Sequence, residues 1–238
     1  MNIRRSFVLI LVLIMMLVPM SAQARSSDAP ARNHVSCTLP DSNAKRLEIL
    51  SNYYRGYWWD HTYLTIAVQA HPKAKQPQLD AIHAAIATWS KTLLDCFGGK
   101  ITLNEIPSTA KNPQKADIVL HYVLRAGGVS FEGYAICGDH RCPNILVSSD
   151  LPASSNLPPS SPQYLGWVTL HEIGHALGLG HTTNLDESWD LMGYGWPILR
   201  DPVLSDCDID GIAFVFAWAL SGDDPHPPAE GPYDCSLD

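Results

Sequence analysis

Residues 171–181 read HEIGHALGLGH, and their spacing decides the fold. His171 and His175 stand four apart, so on an α-helix their imidazoles share one face, one turn apart. Two rings so placed can grip one Zn²⁺, whose bonds to nitrogen are about 2.0–2.1 Å long. Glu172 lies slightly round the helix, beside such a metal rather than on it. From there it can take a proton from a water that the metal acidifies. Gly178 is expected to end the helix, because glycine accepts the left-handed backbone of a sharp turn. The chain can then double back and bring in His181 as third ligand. Three protein ligands leave one tetrahedral position open, the arrangement of a catalytic rather than a structural zinc site. The plain alternative is an ordinary amphipathic helix rich in histidine. Leu170, Ile173, Gly174 and Leu177 make this face apolar, and three imidazoles there without a metal would leave polar nitrogens to satisfy.

Outward from this stretch, the helix is expected from about Tyr164 to Leu177. The Pro- and Ser-rich LPASSNLPPSSPQ (151–163) before it reads as a surface loop. Residues 182–204 hold Gly, Pro and Trp without periodicity and also read as loop. Ser205 to Asp208 makes a capping-box-like S-x-x-D ahead of an apolar helical run, IDGIAFVFAWAL (209–220). Upstream, TYLTIAVQA (62–70) alternates Leu64, Ile66 and Val68 with their neighbours, as a half-buried strand does. From Pro77, the positions Leu79, Ile82, Ile86, Trp89 and Leu93 give one helical face, which Gly98-Gly99 ends. KITLNEI (100–106) and ADIVLHYVL (116–124) read as strands, and EGYAIC (132–137) with NILVSSD (144–150) as a strand pair. DSNAKRLEILSNYYRG (41–56) has helical spacing at Leu47, Leu50 and Tyr54 and predicts a helix. No internal repeat is visible.

The chain opens with Arg4 and Arg5, an apolar run from Phe7 to Val18, and a small-x-small close at Ala22-Gln23-Ala24. That pattern predicts a secretory signal cleaved after Ala24. The apolar run is shorter than the ~20 residues of a membrane span, so a soluble mature protein is expected outside the cytoplasm, extracellular or periplasmic. With Arg4 and Arg5 gone, the 16 basic residues become 14 against 24 acidic, and the net charge moves from −8 to about −10. No basic stripe is present, so nucleic acid is not an expected partner. The acidity reads as solubility. Six cysteines, at 37, 96, 137, 142, 207 and 235, suggest disulfides in an exported chain. Six allow fifteen pairings, and sequence does not choose among them. Cys137 and Cys142 bracket the tight CGDHRC. Cys207 with Cys235 would tie down the Pro-rich tail, leaving Cys37 with Cys96.

HEIGHALGLGH resembles the metzincin signature HExxHxxGxxH, which is followed downstream by a methionine turn. DLMGYG (190–195) supplies that turn, and the resemblance implies that Met192 forms an apolar floor under the zinc without ligating it. LSDCDIDGIAFVFA (204–217) is similar to the C-terminal helix of the matrixin branch, in which Asp208 is expected to brace the methionine turn. TYLTIAV, the Trp89 helix, ADIVLHYV and LGWVTLHEIGHALGLGH match that branch's elements in order. The resemblance implies an α/β (α+β) metzincin-type zincin. It would have a twisted mixed sheet, an active-site helix, a C-terminal helix and a zinc cleft between upper and lower halves. It also implies a secreted zinc-dependent endopeptidase that acts on proteins or peptides as a monomer, with one catalytic zinc.

Departures from the family pattern matter. The first of two consecutive family aspartates is Cys207 here. MGYG looks more like astacins and serralysins, where the tyrosine two after the methionine reaches the transition state, so Tyr194 could donate to a developing oxyanion. The residue four before the first histidine lines the family's primed-side pocket. Here it is Trp167, which implies a shallow pocket. The substrate peptide is expected to lie along an edge strand at Gly133, Tyr134 and Ala135. Cys37-Thr38-Leu39-Pro40-Asp41 resembles the family's cysteine latency segment, but the preceding Pro-Arg and the glycine are missing, and a disulfide is the preferred reading. Asp139 with His140 is too little for a second zinc or a calcium. His83 and His121 read as ordinary element residues. The expected organisation is signal 1–24, leader or short pro-like segment 25–55, catalytic domain 56–221 and tail 222–238. Two rivals stand beside it: a non-enzymatic zinc-containing binding module, which loss of Glu172 would have marked, and a narrow processing peptidase.

Overall fold

The alternation of Leu64, Ile66 and Val68 becomes a strand with all three side chains buried, in a computed structural model that describes residues 51–54, 57–108, 115–124, 133–149, 161–182, 191–192, 204–228 and 233–234. The chain begins with β1 (Ser51–Tyr54), followed by β2 (Tyr63–Ala70). Helix α1 (Gln76–Phe97) buries Ile82, Ile86, Trp89 and Leu93, and Gly98 in the left-handed region ends it. β3 (Thr102–Glu105) returns parallel to β2, so β2–α1–β3 is a crossover unit. β4 (Ile118–Val123) lies parallel on the other side of β2. β5 (Gly133–Gly138) and β6 (Arg141–Ser148) form a hairpin, with β6 parallel to β4. The order is β3-β2-β4-β6-β5, which puts β5 at the edge, as its place in the sequence suggested. The Cys137–Cys142 disulfide closes this hairpin. Cys96 is also disulfide-bonded, while Cys37 and Cys235 lie outside the described residues.

Helix α2 (Pro162–Ala176) carries the histidines. It starts two residues earlier than expected, so Pro162 and Gln163 belong to the helix and not to the preceding loop. A proline in the first turn gives up an N–H that has no helical partner there, which makes it a good starter. The rest of that expected loop, 151–160, lies outside the described residues. After α2 come β7 (Leu179–Thr182), α3 (Asp206–Val215), α4 (Ala217–Ser221) and β8 (Tyr233–Asp234). The apolar run expected as one helix breaks at Phe216, where φ −104° and ψ 23° leave the helical region. Of the loop expected over 182–204, Thr182 closes β7, and Leu191 and Met192 form a buried turn.

The helix expected over 41–56 is corrected at its end. Ser51–Tyr54 is a strand in a second sheet of order β7-β1-β8. Asn52 faces Thr182 on one side and Tyr233 on the other. Pairing on both sides supplies backbone partners that a helical turn there would forgo, so tertiary context overrides the local spacing.

α1 and α2 pack on each other, α1 toward β3 and α2 toward β5 and β6. The core between them and the sheet holds Trp89, Ile86, Leu93, Ile66, Leu120, Ile145, Val168 and Ile173. Two buried indoles fasten α2. Trp89 Nε1 donates to Leu170 O and Trp59 Nε1 to Ala176 O, each at 2.9 Å. These carbonyls immediately precede His171 and follow His175.

Candidate metal centre

Helical spacing puts His171 and His175 on the inner face of α2, with ring centroids 4.6 Å apart. Leu177 caps the helix, and Gly178 turns the chain at φ +108°. A side chain there would be strained and would also meet Tyr57 O at 2.8 Å. The turn leads into β7, a strand that sequence reasoning did not foresee, and β7 carries His181 back toward the helix. His181 Nε2 lies 3.1 Å from Nε2 of both His171 and His175. Among the described residues this trio is the one group of His, Cys, Asp or Glu side chains placed to hold a metal ion.

The tautomers follow from the surroundings. His171 Nδ1 lies 2.6 Å from Leu191 O, and His175 Nδ1 lies 2.8 Å from Leu179 O. A carbonyl can only accept, so both Nδ1 atoms carry the proton and both Nε2 atoms present bare lone pairs. A proton on His181 Nε2 could serve one neighbour but not both. A divalent cation serves all three. Ligand nitrogens about 2.0–2.1 Å from a tetrahedral zinc stand about 3.3 Å from one another, close to the observed 3.1 Å. The donor set therefore fits zinc, and the two backbone carbonyls supply the outer partners that fix ring orientation.

Glu172, 6% exposed, sits beside the trio on the side of β5. Met192 is fully buried and lies directly under α2, where a Cβ on Gly174 would come within 2.5 Å of its Sδ. Asp208 is also fully buried. Its carboxylate accepts from Ser205 N at 2.9 Å, and Ser205 Oγ accepts from Asp208 N at 3.1 Å, so the capping box exists as read. Trp167 is 8% exposed, within the core, with its ring 6.3 Å from that of Tyr164. On β5, Tyr134 and Ile136 face outward, whereas Ala135 is buried. Tyr194 and Cys37 lie outside the described residues.

The other histidines among the described residues have ordinary partners. His83 Nδ1 lies 2.6 Å from Glu105 Oε1, and His121 Nε2 lies 3.1 Å from Asn144 Oδ1. His140 accepts at Nε2 from Arg141 Nε. His61 bridges Asp60 and Asp117. The hydrogen bond from His61, aided by the charge of Arg141, holds the Asp60 carboxyl below its usual value despite some burial. Burial pushes the Tyr122 phenol up and keeps it neutral.

Sequence reasoning missed the indole supports from Trp59 and Trp89 and the carbonyls of Leu179 and Leu191. Nothing in a residue's identity announces its backbone carbonyl. The seat that Gly174 makes for Met192 did leave a signal: a glycine inside an apolar helix is costly unless something packs against it.

A helix, a glycine turn and a returning strand that converge three imidazoles beneath the edge of a mixed sheet define a zinc peptidase of the metzincin class. Within that class the sequence is specific. The matrixin family model matches residues 57–217, and the chain belongs to the matrixin family. It is accordingly a zinc metalloendopeptidase that acts on protein or peptide substrates. No curated protein matches the chain. Among solved structures the chain is similar to myroilysin, at 16% identity and TM-score 0.40 over 69% of this chain and 98% of that one. It is similar to high choriolytic enzyme 1, a hatching enzyme zinc-protease from the medaka fish Oryzias latipes. There the identity is 15% and the TM-score 0.40, over 71% and 95% of the two chains. Metalloproteinase-II from Bacteroides fragilis follows at 18% identity and TM-score 0.38, over 66% and 52%.

Proposed function

We propose that the chain is a secreted endopeptidase in which His171, His175 and His181 hold one catalytic zinc and Glu172 is the general base. The observation that carries this reading is the pair of Nδ1–carbonyl hydrogen bonds, which turn the bare Nε2 atoms of His171 and His175 toward His181. A zinc held there would supply a Lewis acid for the scissile carbonyl and would lower the pKa of a bound water to about 7. Glu172 takes the proton of that water and delivers it to the leaving amine, so one carboxylate serves both halves of the reaction. Tyr194 donates a hydrogen bond to the developing oxyanion. Met192 floors the site, and Asp208 braces the turn that carries it. The substrate adds as a strand along β5 at Gly133, Tyr134 and Ala135, whose outer edge lacks a partner among the described residues. Trp167 closes the primed-side pocket and keeps it shallow, so large residues after the scissile bond are disfavoured.

Secretion is supported by the basic and apolar pattern of residues 4–24 and by the Cys137–Cys142 disulfide. The test is metal dependence. The secreted protein is incubated with a denatured protein mixture before and after chelation, and again after zinc is returned. Cleavage that stops on chelation and resumes with zinc supports the reading. Cleavage indifferent to chelation refutes it.

A further inference from the structure

We propose that Gly133 is a positioning residue for Glu172, its missing side chain forming the slot in which the carboxylate sits. A Cβ built on Gly133 would lie 2.5 Å from Glu172 Cγ, 2.6 Å from Glu172 Oε1 and 2.6 Å from Val168 Cγ1. Carbon contacts are comfortable only at about 3.5–4.0 Å, so no side chain fits without displacement.

Backbone conformation does not explain this glycine. Among the described residues the glycines at positive φ are 98, 99, 178 and 222, and Gly133 is not among them. Any residue could adopt its backbone, and a glycine within a strand costs stability. Its neighbours obey the same constraint. Gly133 and Ala135 share the face toward α2, and both are small. The opposite face carries Tyr134 and Ile136, 57% and 42% exposed. The inner face of β5 is thus cut away where it meets the turn of α2 that bears Glu172. Of the two side chains a methyl group would strike, Val168 is β-branched and stiff in a helix, whereas Glu172 can swing. The overlap with Glu172 would be relieved by its carboxylate moving about 1 Å, and the overlap with Val168 would remain as added strain.

The inference rests on Glu172 acting as base, and it adds a link. The strand proposed to receive the substrate is the one that holds the base, so the scissile bond and the carboxylate take their positions from one backbone. The reactive geometry is then set by a glycine that contributes no reacting atom of its own.

The test compares wild type, Gly133→Ala, Glu172→Ala and the double variant, each loaded with zinc. For each, metal content, melting and the kcat and KM on a fluorogenic peptide are measured. Gly133→Ala is expected to retain one zinc per chain and a cooperative melt. Its kcat should fall about 10²-fold with KM nearly unchanged, as for a misplaced catalytic group. In the Glu172→Ala background the same substitution should cost at most about 3-fold of the residual rate, because alanine removes both the Cγ and the Oε1 that the methyl group would strike and the two changes are coupled. A crystal structure of Gly133→Ala should show the Glu172 carboxylate displaced.

Losses that multiply independently, a rise in KM with kcat unchanged, or an undisturbed Gly133→Ala would each overturn the assignment. If Gly133→Ala loses its zinc or its melt, recovery of both in the double variant supports the slot, and no recovery overturns it. A strongly slowed Glu172→Ala beside independent losses removes the role of Gly133 alone. A Glu172→Ala variant at the wild-type rate removes the base reading and this inference together.

Discussion

Gly174 is where two physical tendencies point in opposite directions. Helix propensity alone says that Gly174→Ala should stabilise α2 by about 1 kcal/mol. Packing says otherwise, because the added methyl would meet Met192 Sδ at 2.5 Å and Trp89 Cζ2 at 3.5 Å. Overpacking of this kind costs about 1–3 kcal/mol. Gly174→Ala should therefore lower the unfolding midpoint in urea, and a raised midpoint would show that Met192 is free to move. Trp59→Phe should also destabilise. It leaves Ala176 O buried without its indole donor, at a cost of about 1–3 kcal/mol. The loss should be larger than for a surface aromatic such as Tyr63→Phe, with 69% of Tyr63 exposed.

The strands and helices divide sharply in how readily they could be read. Steps of three and four from Ile82 to Leu93, and alternation from Leu64 to Val68, were legible because one face of each element is buried and the other is not. The ligand helix and the capping box at Ser205 were legible because their chemistry is local: i,i+4 imidazoles, and a hydroxyl facing an N–H three residues on. What stayed hidden is long-range. β7 is four residues long and has no hydrophobic period, and it exists through its pairing with β1. The helical spacing of Leu47, Leu50 and Tyr54 spoke only of local preference, while Asn52 takes partners from residues far along the chain. Asn52→Pro tests that pairing. As the middle strand, β1 bonds on both sides at Asn52, so proline removes a ladder hydrogen bond whichever way its N–H points. Because β7 carries His181, this substitution should both lower the melting temperature and raise the zinc dissociation constant, read by chelator competition. A lower melting temperature with unchanged zinc affinity would separate β1 from the site.

For the molecule as a whole, metal and fold are linked. The three proposed ligands, drawn from α2 and β7, come together only in the native chain, so zinc held there would bind the folded state and stabilise it. The gain is about 4 kcal/mol when free metal exceeds its dissociation constant a thousandfold. Chelation should lower the melting temperature, and zinc should restore it. The matrixin match spans 57–217 and so includes both ligand-bearing elements and β5. The proposed zinc site, base and substrate strand thus form one unit held together by α2. The most direct measurement of that unit sets wild type beside Glu172→Ala, both carrying one zinc per chain, in cleavage of a denatured protein. The expected result is equal metal content and a rate lower by about 10²–10⁴-fold in the variant, the range for loss of a general base. Equal rates at equal zinc would contradict the account, because the metal would then be acting without Glu172.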